Sequence, residues 1–354
     1  MQVFKGIGKS FQLVKLTVVF TALFAVTNVF AGGGSGEEFN AGEVIMHHIS
    51  DSHDWHLIDY EGADGEIHPV SIPLPVILWH QGKGLEVFMS SKFHHGTEAY
   101  NGYALDEHNE VYYVAPDGGV DEVETANIID ISITKNVMTL FLVSLLVILV
   151  FSSIARAYRR NPNSAPKGIQ SFFEPIILFV RDEIAIAVIG KDKYQRFMPF
   201  LLSVFFFIWI ANMLGLVPFF PGGANLTGNI AITLVLAAMT LFLIFKNSNS
   251  HYWRHVFAMP GVPVPLLPII TLIEIIGVFL KPLILAIRLF ANITAGHITI
   301  LAFMSLIFIM GKNGEAPVVG WGTGVVSVIL SIIVTFLELL VAFLQAFIFT
   351  LLSA

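Results

Sequence analysis

The stretch "LIEIIGVFLKPLILAIRLFANITAGHIT", residues 272–299, is almost wholly apolar, yet it carries the charged residues Glu274, Lys281 and Arg288 at intervals of seven. Seven residues are close to two helical turns, so the three charges line one stripe of a single helix. A charge inside a membrane span is costly and indicates a functional site with a partner. An arginine cannot avoid this cost by losing its proton. The stretch therefore predicts a membrane helix with a functional polar face.

The composition of the chain supports a membrane location. Of 354 residues, 55% are hydrophobic and 13% are charged, whereas charged residues make up about 25% of soluble domains. Between residue 198 and the C-terminus only five basic and three acidic side chains occur. We therefore expect an integral membrane protein. The chain contains no cysteine, which excludes disulfides and thiolate metal sites.

The apolar segments predict an all-α polytopic membrane protein with about five transmembrane or membrane-embedded helices. The expected segments are 136–155, 198–217, 227–246, 266–310 and 318–352. The last two exceed the roughly 20 residues that a perpendicular span needs, so we expect these two C-terminal helices to be strongly tilted or bent. Residues 168–190 are interrupted by charges and proline, which favours an interfacial amphipathic segment over a span.

The N-terminal residues and the basic clusters predict the topology. Residues 1–31 have a lysine-containing start, a short apolar centre and "VFA" before Gly32, a pattern typical of a cleaved signal peptide, with an uncleaved anchor helix as the alternative. Arg156, Arg159 and Arg160 directly follow the first span and place its end in the cytoplasm. We expect residues 32–134 to form a periplasmic domain and residues 135–354 a membrane domain. We therefore expect a multi-pass protein of the bacterial cell inner membrane.

The region 32–134 is rich in histidine, acidic residues and glycine. It holds nine of the twelve histidines, including those of "HHISDSHDWH" and "KFHHG", and it has short alternating apolar stretches. The alternation predicts a small, β-rich extramembrane domain. Its histidines suggest a metal site, but no spacing matches a known ligand set. Solvated polar surface is the preferred interpretation, and we expect neither a metal nor a cofactor.

A second polar stripe lies in "FLELLVAFLQAFIF", residues 336–349, where Glu338 and Gln345 are again seven residues apart. The short link "GKNGEAP" makes the two last helices antiparallel neighbours. Glu338 and His297 lie at unequal distances from this link, so they meet only if the helices are staggered or bent. Ionisable groups on two consecutive spans favour an ion path over an ion pair that merely fixes packing.

The segment "LKPLILAIRLFANITAGHI", residues 280–298, resembles the signature of the a subunit of F-type ATP synthases, whose core reads Arg-Leu-Phe-x-Asn-x-x-Ala-Gly. The segments "WIANMLGLVP", "TGNIAITLVLA" and "LQAFIF" are similar to other parts of that family, in the same order and spacing. The resemblance covers about residues 136–354. The enlarged N-terminal region resembles that of some Gram-negative bacterial members.

The resemblance implies a role for each matching residue. Arg288 is then the essential stator arginine, which faces the rotor ring of c subunits. The residues matching the walls of two aqueous half-channels are Glu274, Asn292, His297, Glu338, Gln345 and Asn212. Relative to some bacterial members His297 and Glu338 look interchanged, and Gly215 stands where some members carry an aspartate.

The resemblance also implies partners. These are the c-ring, b-type peripheral stalk subunits and the lipid bilayer, with no nucleic acid among them. No phosphate-binding loop of the G-x-x-x-x-G-K-[ST] type is visible in the sequence, so the chain is not expected to act on ATP itself.

Two other function classes remain open from the residues. A secondary ion transporter would use Glu274, Arg288 and Glu338 as a midplane site, and it would show paired broken helices in two related halves, which are not visible. A membrane-anchored metal-binding protein would act through its histidine-rich domain, and zinc titration of that domain distinguishes this class.

Overall fold

The computed structural model describes residues 40–61, 67–106, 108–160, 165–217, 222–259 and 263–354. The predicted signal segment, residues 1–31, lies outside the described residues. Within them a mainly β extramembrane region is followed by a wholly helical membrane domain. The predicted fold class, a polytopic all-α membrane protein with a small β-rich addition, is confirmed.

The extramembrane region contains three small antiparallel sheets and two short helices. Its elements are α1 (Ala41–Ile49), β1 (Asp54–Glu61), β2 (Ile67–Pro73), β3 (Pro75–His80), β4 (Gly84–Met89), β5 (Tyr103–Leu105), β6 (Val111–Tyr113), α2 (Glu122–Thr125) and β7 (Ile128–Asp130). The strands pair as β1–β2, β4–β3–β7 and β5–β6. Alternate residues of β3 are buried, because successive side chains of a strand point to opposite faces. Val76 and Leu78 pack there with Phe93 and Tyr103.

Five helices of the described chain are long and apolar enough to cross a membrane. They are α3 (Lys135–Arg160), α5 (Tyr194–Gly215), α6 (Ile230–Asn247), α8 (Leu267–Gly311) and α9 (Pro317–Ser353). Large apolar side chains such as Phe141, Phe242, Trp321 and Phe336 are exposed along them. Large exposed apolar surfaces are rare on soluble proteins, so these surfaces face lipid.

The interrupted segment 168–190 forms α4 (Ile169–Phe179) and a continuing π-helix, Val180–Ile189. It is not among the candidate spans, as the sequence predicts. The π-helical part is nevertheless well buried, with Val180, Ile184 and Ala185 in the core that α5, α8 and α9 share. The segment therefore packs against the membrane helices as well as carrying charge.

The two C-terminal helices form one antiparallel hairpin. They are 45 and 37 residues long, and α8 contains Pro282 without a break. A β-carbon at Gly320 would lie 3.2 Å from the Cα of Gly311, so these two glycines let the backbones approach closely beside the link. Farther along, Leu285 and Leu289 of α8 share a core with Ala346 and Phe349 of α9. A short helix, α7 (Ser250–Phe257), packs against α8.

Hydrogen bonds attach the extramembrane region to the first residues of α3. The Asp51 carboxylate accepts hydrogen bonds from the Asn136 backbone N–H at 3.0 Å and the Thr134 hydroxyl at 2.8 Å. An acidic side chain that satisfies free N–H groups at a helix N-terminus is stabilising. The Lys135 ammonium donates to the Ser50 carbonyl at 3.0 Å, and α1 packs against α8. The two regions therefore meet through specific contacts.

Candidate functional site

Arg288 lies on the exposed surface of α8, near the middle of the helix. Leu285, Ala286 and Leu289 occupy the buried side of the same turn, so the guanidinium points away from the rest of the chain. Within the part of the chain that the structure describes, no hydrogen bond or ion pair engages it. A permanent charge that its own chain leaves unpaired in a membrane span requires a partner from outside.

Small residues surround this arginine. Ala291, Asn292 and Ala295 are all exposed beside Arg288 on the same face of α8. They follow it by three, four and seven residues, the spacing that places side chains on one helix face. Small side chains allow another helix to approach closely within a membrane. The face thus combines one fixed cation with room for a neighbouring helix.

Farther along α8 lies a group of buried or partly buried polar residues, which we call the polar cluster. Its members are His297 of α8, Glu338 of α9, Asn212 of α5, and Asn225 and Thr227 of the connection between α5 and α6. Glu338 is only 8% exposed, and its carboxylate rests on Gly296, where any β-carbon would overlap it. The ring of His297 reaches Gly215, because a β-carbon there would lie 3.7 Å from His297 Nε2. Glu338 therefore lies against the backbone position next to His297, but no hydrogen bond joins the two side chains among the described residues, and their meeting stays a prediction.

Asn212 is fixed within this polar cluster. Its Oδ1 atom accepts a hydrogen bond from the Thr227 hydroxyl at 2.6 Å, and both side chains are buried. Its amide nitrogen and the Asn225 Oδ1 atom have no partner within the described chain. A β-carbon at Gly215 would make ordinary van der Waals contacts with the Ala224 carbonyl at 3.4 Å and with His297 Nε2 at 3.7 Å.

Many buried polar atoms of the membrane domain lack partners. Those in the described spans and their connections belong to Asn136, Glu174, Asn212, Asn225, Thr294, His297, Ser327, Ser331 and Glu338. Buried polar groups are almost always hydrogen-bonded to protein or water, and a roomy polar site accommodates ordered water. The unpaired atoms of Asn212, Asn225, His297 and Glu338 therefore indicate bound water, and we refer to this region as the hydrated cleft.

Glu274 lies on the other side of Arg288. The two are 14 residues apart, or about 21 Å along a helix at 1.5 Å per residue, whereas His297 is about 13 Å away in the opposite direction. Glu274 acts electrostatically on Tyr252 of α7; burial raises the pKa of this tyrosine, and the carboxylate raises it further. Glu274 is therefore separate from the polar cluster.

Gln345 is 4% exposed and lies beside Ala346, which packs with Leu285 and Leu289 of α8. The residue is thus buried in the hairpin next to the turn that carries Arg288. Asn292, in contrast, is exposed. The predicted residues therefore divide into a polar cluster (Asn212, His297, Glu338), an exposed face (Arg288, Asn292), the buried Gln345 and the distant Glu274.

The sequence interpretation missed several buried polar residues of the membrane domain. Ser327 and Ser331 are buried on α9, and together with Glu338 and Gln345 they follow intervals of four, seven and seven. This spacing places all four on one face of the helix, a signal that the apolar surroundings obscured. Asn225 and Thr227 lie in a connection, where helical spacing gives no signal.

Two buried histidines of the extramembrane region, His53 and His80, each pair with an acidic side chain. His80 Nε2 lies 2.8 Å from the Glu124 carboxylate and its Nδ1 lies 2.9 Å from the Tyr103 hydroxyl. His53 Nε2 lies 3.1 Å from Asp130. Burial alone would raise the pKa of Asp130, but hydrogen bonds from His53 and Ser132 hold it below its usual value. Among the residues described, no three histidine or acidic side chains converge on a metal position.

Comparison with known protein families gives two matches. The family described as ATP synthase A chain matches residues 137–354. A family described as a domain of unknown function matches residues 44–131.

Curated relatives agree with the first match. "ATP synthase subunit a 2" of Chlorobium luteolum is 44% identical over 232 residues, 64% of each chain. "ATP synthase subunit a" of Pelodictyon phaeoclathratiforme is 41% identical over 255 residues, which are 70% of this chain and 71% of the relative. The protein of that name from Anaeromyxobacter sp. is 33% identical over 334 residues, 92% of this chain and 71% of the relative. The chain thus spans 64% of the length of the Chlorobium luteolum relative.

Proposed function

The chain belongs to the ATP synthase A chain family, and on that premise we propose that it is the proton-conducting stator subunit of an F-type ATP synthase. In this role it provides two half-channels and the arginine that faces the c-ring, and it couples proton flow to ATP synthesis. Its partners are the c-ring and b-type peripheral stalk subunits. Family membership argues against the secondary-transporter interpretation.

One observation carries the proposal. Arg288 is unpaired within the described chain, lies mid-span and is flanked by the exposed small residues Ala291 and Ala295. A ring of helices with a carboxylate on each member supplies what this face lacks, namely a negative charge at the same depth. An arginine fixed by packing against its own chain would have been buried beside an acidic residue instead.

The chemistry follows from the charges. A rotor carboxylate that is protonated and neutral crosses lipid at low cost, whereas an ionised one does not. Beside Arg288 the positive charge favours the ionised carboxylate, so a proton is released there. Arginine suits this role because it stays charged, whereas lysine loses its proton readily when it is buried. The same charge blocks direct proton passage between the two half-channels.

The polar cluster and Glu274 supply the two routes. The hydrated cleft at Asn212, His297 and Glu338 leads to Arg288 from the side that carries the extramembrane region. Glu274 lies toward the opposite end of α8, and Asn292 and Gln345 lie near Arg288, where the routes end. Histidine and carboxylate side chains are the groups that relay protons through membrane proteins. Each proton then enters by one route and leaves by the other after a turn of the ring.

The topology completes the proposal. Residues 1–31 serve as a signal peptide, residues 32–134 form a periplasmic domain and residues 135–354 form the membrane domain. The basic residues Arg156, Arg159 and Arg160 at the end of α3 support this orientation. The protein then belongs to the bacterial inner membrane, with its hydrated cleft opening toward the periplasm.

The substitution Arg288→Ala tests the role of this residue in the assembled enzyme. We expect the variant to insert and assemble but to lose ATP synthesis in inverted vesicles energised by a respiratory substrate. The matched control is Lys281→Ala, which removes an exposed cation two turns away on the same stripe and should retain synthesis. Normal ATP synthesis by the Arg288→Ala enzyme would refute the proposed role.

A further inference from the structure

The sheet β4–β3–β7 of the extramembrane region has an outer face without a polar side chain. The backbone register places nine residues on it in three rows: Trp79, Leu85 and Ile129; Ile77, Val87 and Ile131; and Pro75, Met89 and Ile133. Six of these are exposed, and Leu85 and Val87 are each 59% exposed. No element of the described chain covers this apolar face. Contiguous apolar patches of this kind mark interaction surfaces.

The pattern of the last strand is the reverse of that of a water-facing sheet. Antiparallel sheets usually turn polar residues to water and apolar residues to the core. Here Ile129 and Ile131 point outward and are exposed. Asp130 and Ser132, which alternate with them, lie on the opposite face: the partly exposed Asp130 bonds His53, and Ser132 is buried. The reversal indicates that the outer face meets an apolar medium.

The apolar face reaches the first residue of a membrane span. Beyond β7 the pairing with β3 continues, since the Ile131 N–H donates to the Ile77 carbonyl at 2.9 Å and the Ile133 N–H to the Pro75 carbonyl at 3.0 Å. Ile133 is two residues before Lys135, where α3 begins, or about 7 Å along an extended chain. The bonds of Asp51 to Thr134 and Asn136 hold the sheet at this position.

We propose that this apolar face lies on the lipid surface around α3, so that the extramembrane region is a membrane-docked platform and not a freely solvated domain. The lipid-facing surface of α3, with exposed Met138 and Phe141 at its start, continues into the sheet face. Trp79 is the type of residue that is enriched at membrane interfaces. The inference needs only that α3 spans a membrane.

The composition of the face favours lipid over a protein partner. Non-obligate protein interfaces are only about 57% apolar and carry about one hydrogen bond per 100–200 Å². The apolar face offers no side-chain donor or acceptor except the indole N–H of Trp79, so it gives a partner little basis for recognition. Interfacial binding to a bilayer, in contrast, scales with buried apolar area.

Site-specific labelling tests the docking, because the chain has no native cysteine. The full-length chain carrying Val87→Cys, labelled with an environment-sensitive fluorophore, is reconstituted into phosphatidylcholine–phosphatidylglycerol vesicles. Quenching by spin-labelled lipid is compared with quenching by aqueous iodide. The control is Val123→Cys on α2, a site 75% exposed on the other side of the sheet, where the adjacent Glu124 contacts His80.

We expect spin-labelled lipid to quench the Val87 site several-fold more than the Val123 site, and iodide to show the opposite order. A Val87 label that iodide reaches as readily as Val123 would overturn the proposal, because the face would then be solvated. A label shielded from both quenchers would also overturn it, since the face would then be covered by protein. Leu85→Cys repeats the measurement should Val87→Cys fail to fold.

Discussion

At the scale of the residue, the close contact between Gly296 and Glu338 places a carboxylate inside the membrane domain. A β-carbon at position 296 would overlap the Glu338 carboxylate, so the glycine lets the acid of α9 lie directly against the backbone of α8. Neither carboxylate oxygen of Glu338 has a protein partner within the described chain, so water and passing protons are its natural partners.

The substitution Gly296→Ala should therefore disturb Glu338, while Gly277→Ala should not. A methyl group at 296 overlaps the carboxylate, whereas one at 277 meets no atom within 4 Å. Overpacking of this kind costs about 1–3 kcal/mol. ATP-driven proton pumping in inverted vesicles should fall in Gly296→Ala and stay normal in Gly277→Ala. Equal rates in the two variants would show that the contact has no role in transport.

The substitution Glu338→Gln removes a proton-carrying group with little change of shape. We expect slower ATP-driven proton pumping and an altered dependence of the rate on pH, with ATP hydrolysis chemistry intact. Glu315→Gln, in the exposed link between α8 and α9, is the control and should pump normally. An unchanged rate and pH profile in Glu338→Gln would remove this residue from the proton route.

The sequence predicted these residues better than it predicted their contacts. The seven-residue intervals showed that Glu274 and Arg288 share one face of a helix, and that Glu338 and Gln345 share one face of the next helix. This was possible because helical periodicity is a local property of the sequence. It did not show that Glu338 meets Gly296 or that His297 reaches Gly215. Those contacts depend on the stagger between helices, which packing of distant residues determines.

At the scale of the element, the close approach of α8 and α9 begins at their link. Gly311 and Gly320 pack backbone against backbone, and we expect this contact to help set the register that places Glu338 at Gly296. Small residues at such crossings are a common device of membrane helices, since they increase van der Waals contact and lipid provides no hydrophobic driving force between helices.

The substitution Gly320→Leu should weaken this hairpin. Its side chain would enter the contact with Gly311, at a cost of about 1–3 kcal/mol or more. Gly322→Leu is the control, because Gly322 is exposed and a β-carbon added there would meet no atom within 4 Å. Thermal unfolding of the purified protein in detergent should show a lower Tm for Gly320→Leu only. Equal Tm values would mean that this crossing does not stabilise the hairpin.

The elements were predictable to different degrees. The long apolar helices followed directly from hydropathy, because lipid requires about 20 apolar residues per span. The sequence predicted that the extramembrane region is rich in β-strands, but it did not predict the individual strands. Strands as short as Tyr103–Leu105 carry little periodicity. The burial of the π-helical segment Val180–Ile189 was not predicted, because its charges favoured a surface position.

At the scale of the whole molecule, the extramembrane region and the membrane domain are joined by a few polar contacts and by the packing of α1 against α8. Asp51 holds the start of α3, and Asp130 pairs with His53 close to the same junction. The extramembrane region therefore has a defined position over the membrane helices, on the side where Lys135 acts electrostatically on His297.

The pairing of Asp130 predicts an acid-sensitive junction. The pKa of Asp130 lies below the ordinary value of 3.8, so its contribution to stability is present above that pH and is lost as the pH falls through the lowered value. Limited proteolysis with pepsin should detect loosening of the region at low pH. Asp130→Asn should loosen it already at pH 5, and equal resistance of the two proteins at pH 5 would contradict this interpretation.

The central claim is that the face around Arg288 meets the rotor, and cysteine cross-linking tests it most directly. Ala295→Cys places a thiol on this exposed face of α8, while Ala286→Cys places one on the buried side. In membranes that also contain a c subunit with a cysteine near its acidic residue, oxidation should join Ala295→Cys to that subunit and leave Ala286→Cys unlinked. Absence of the Ala295→Cys product, with both proteins present in the assembled enzyme, would contradict the account.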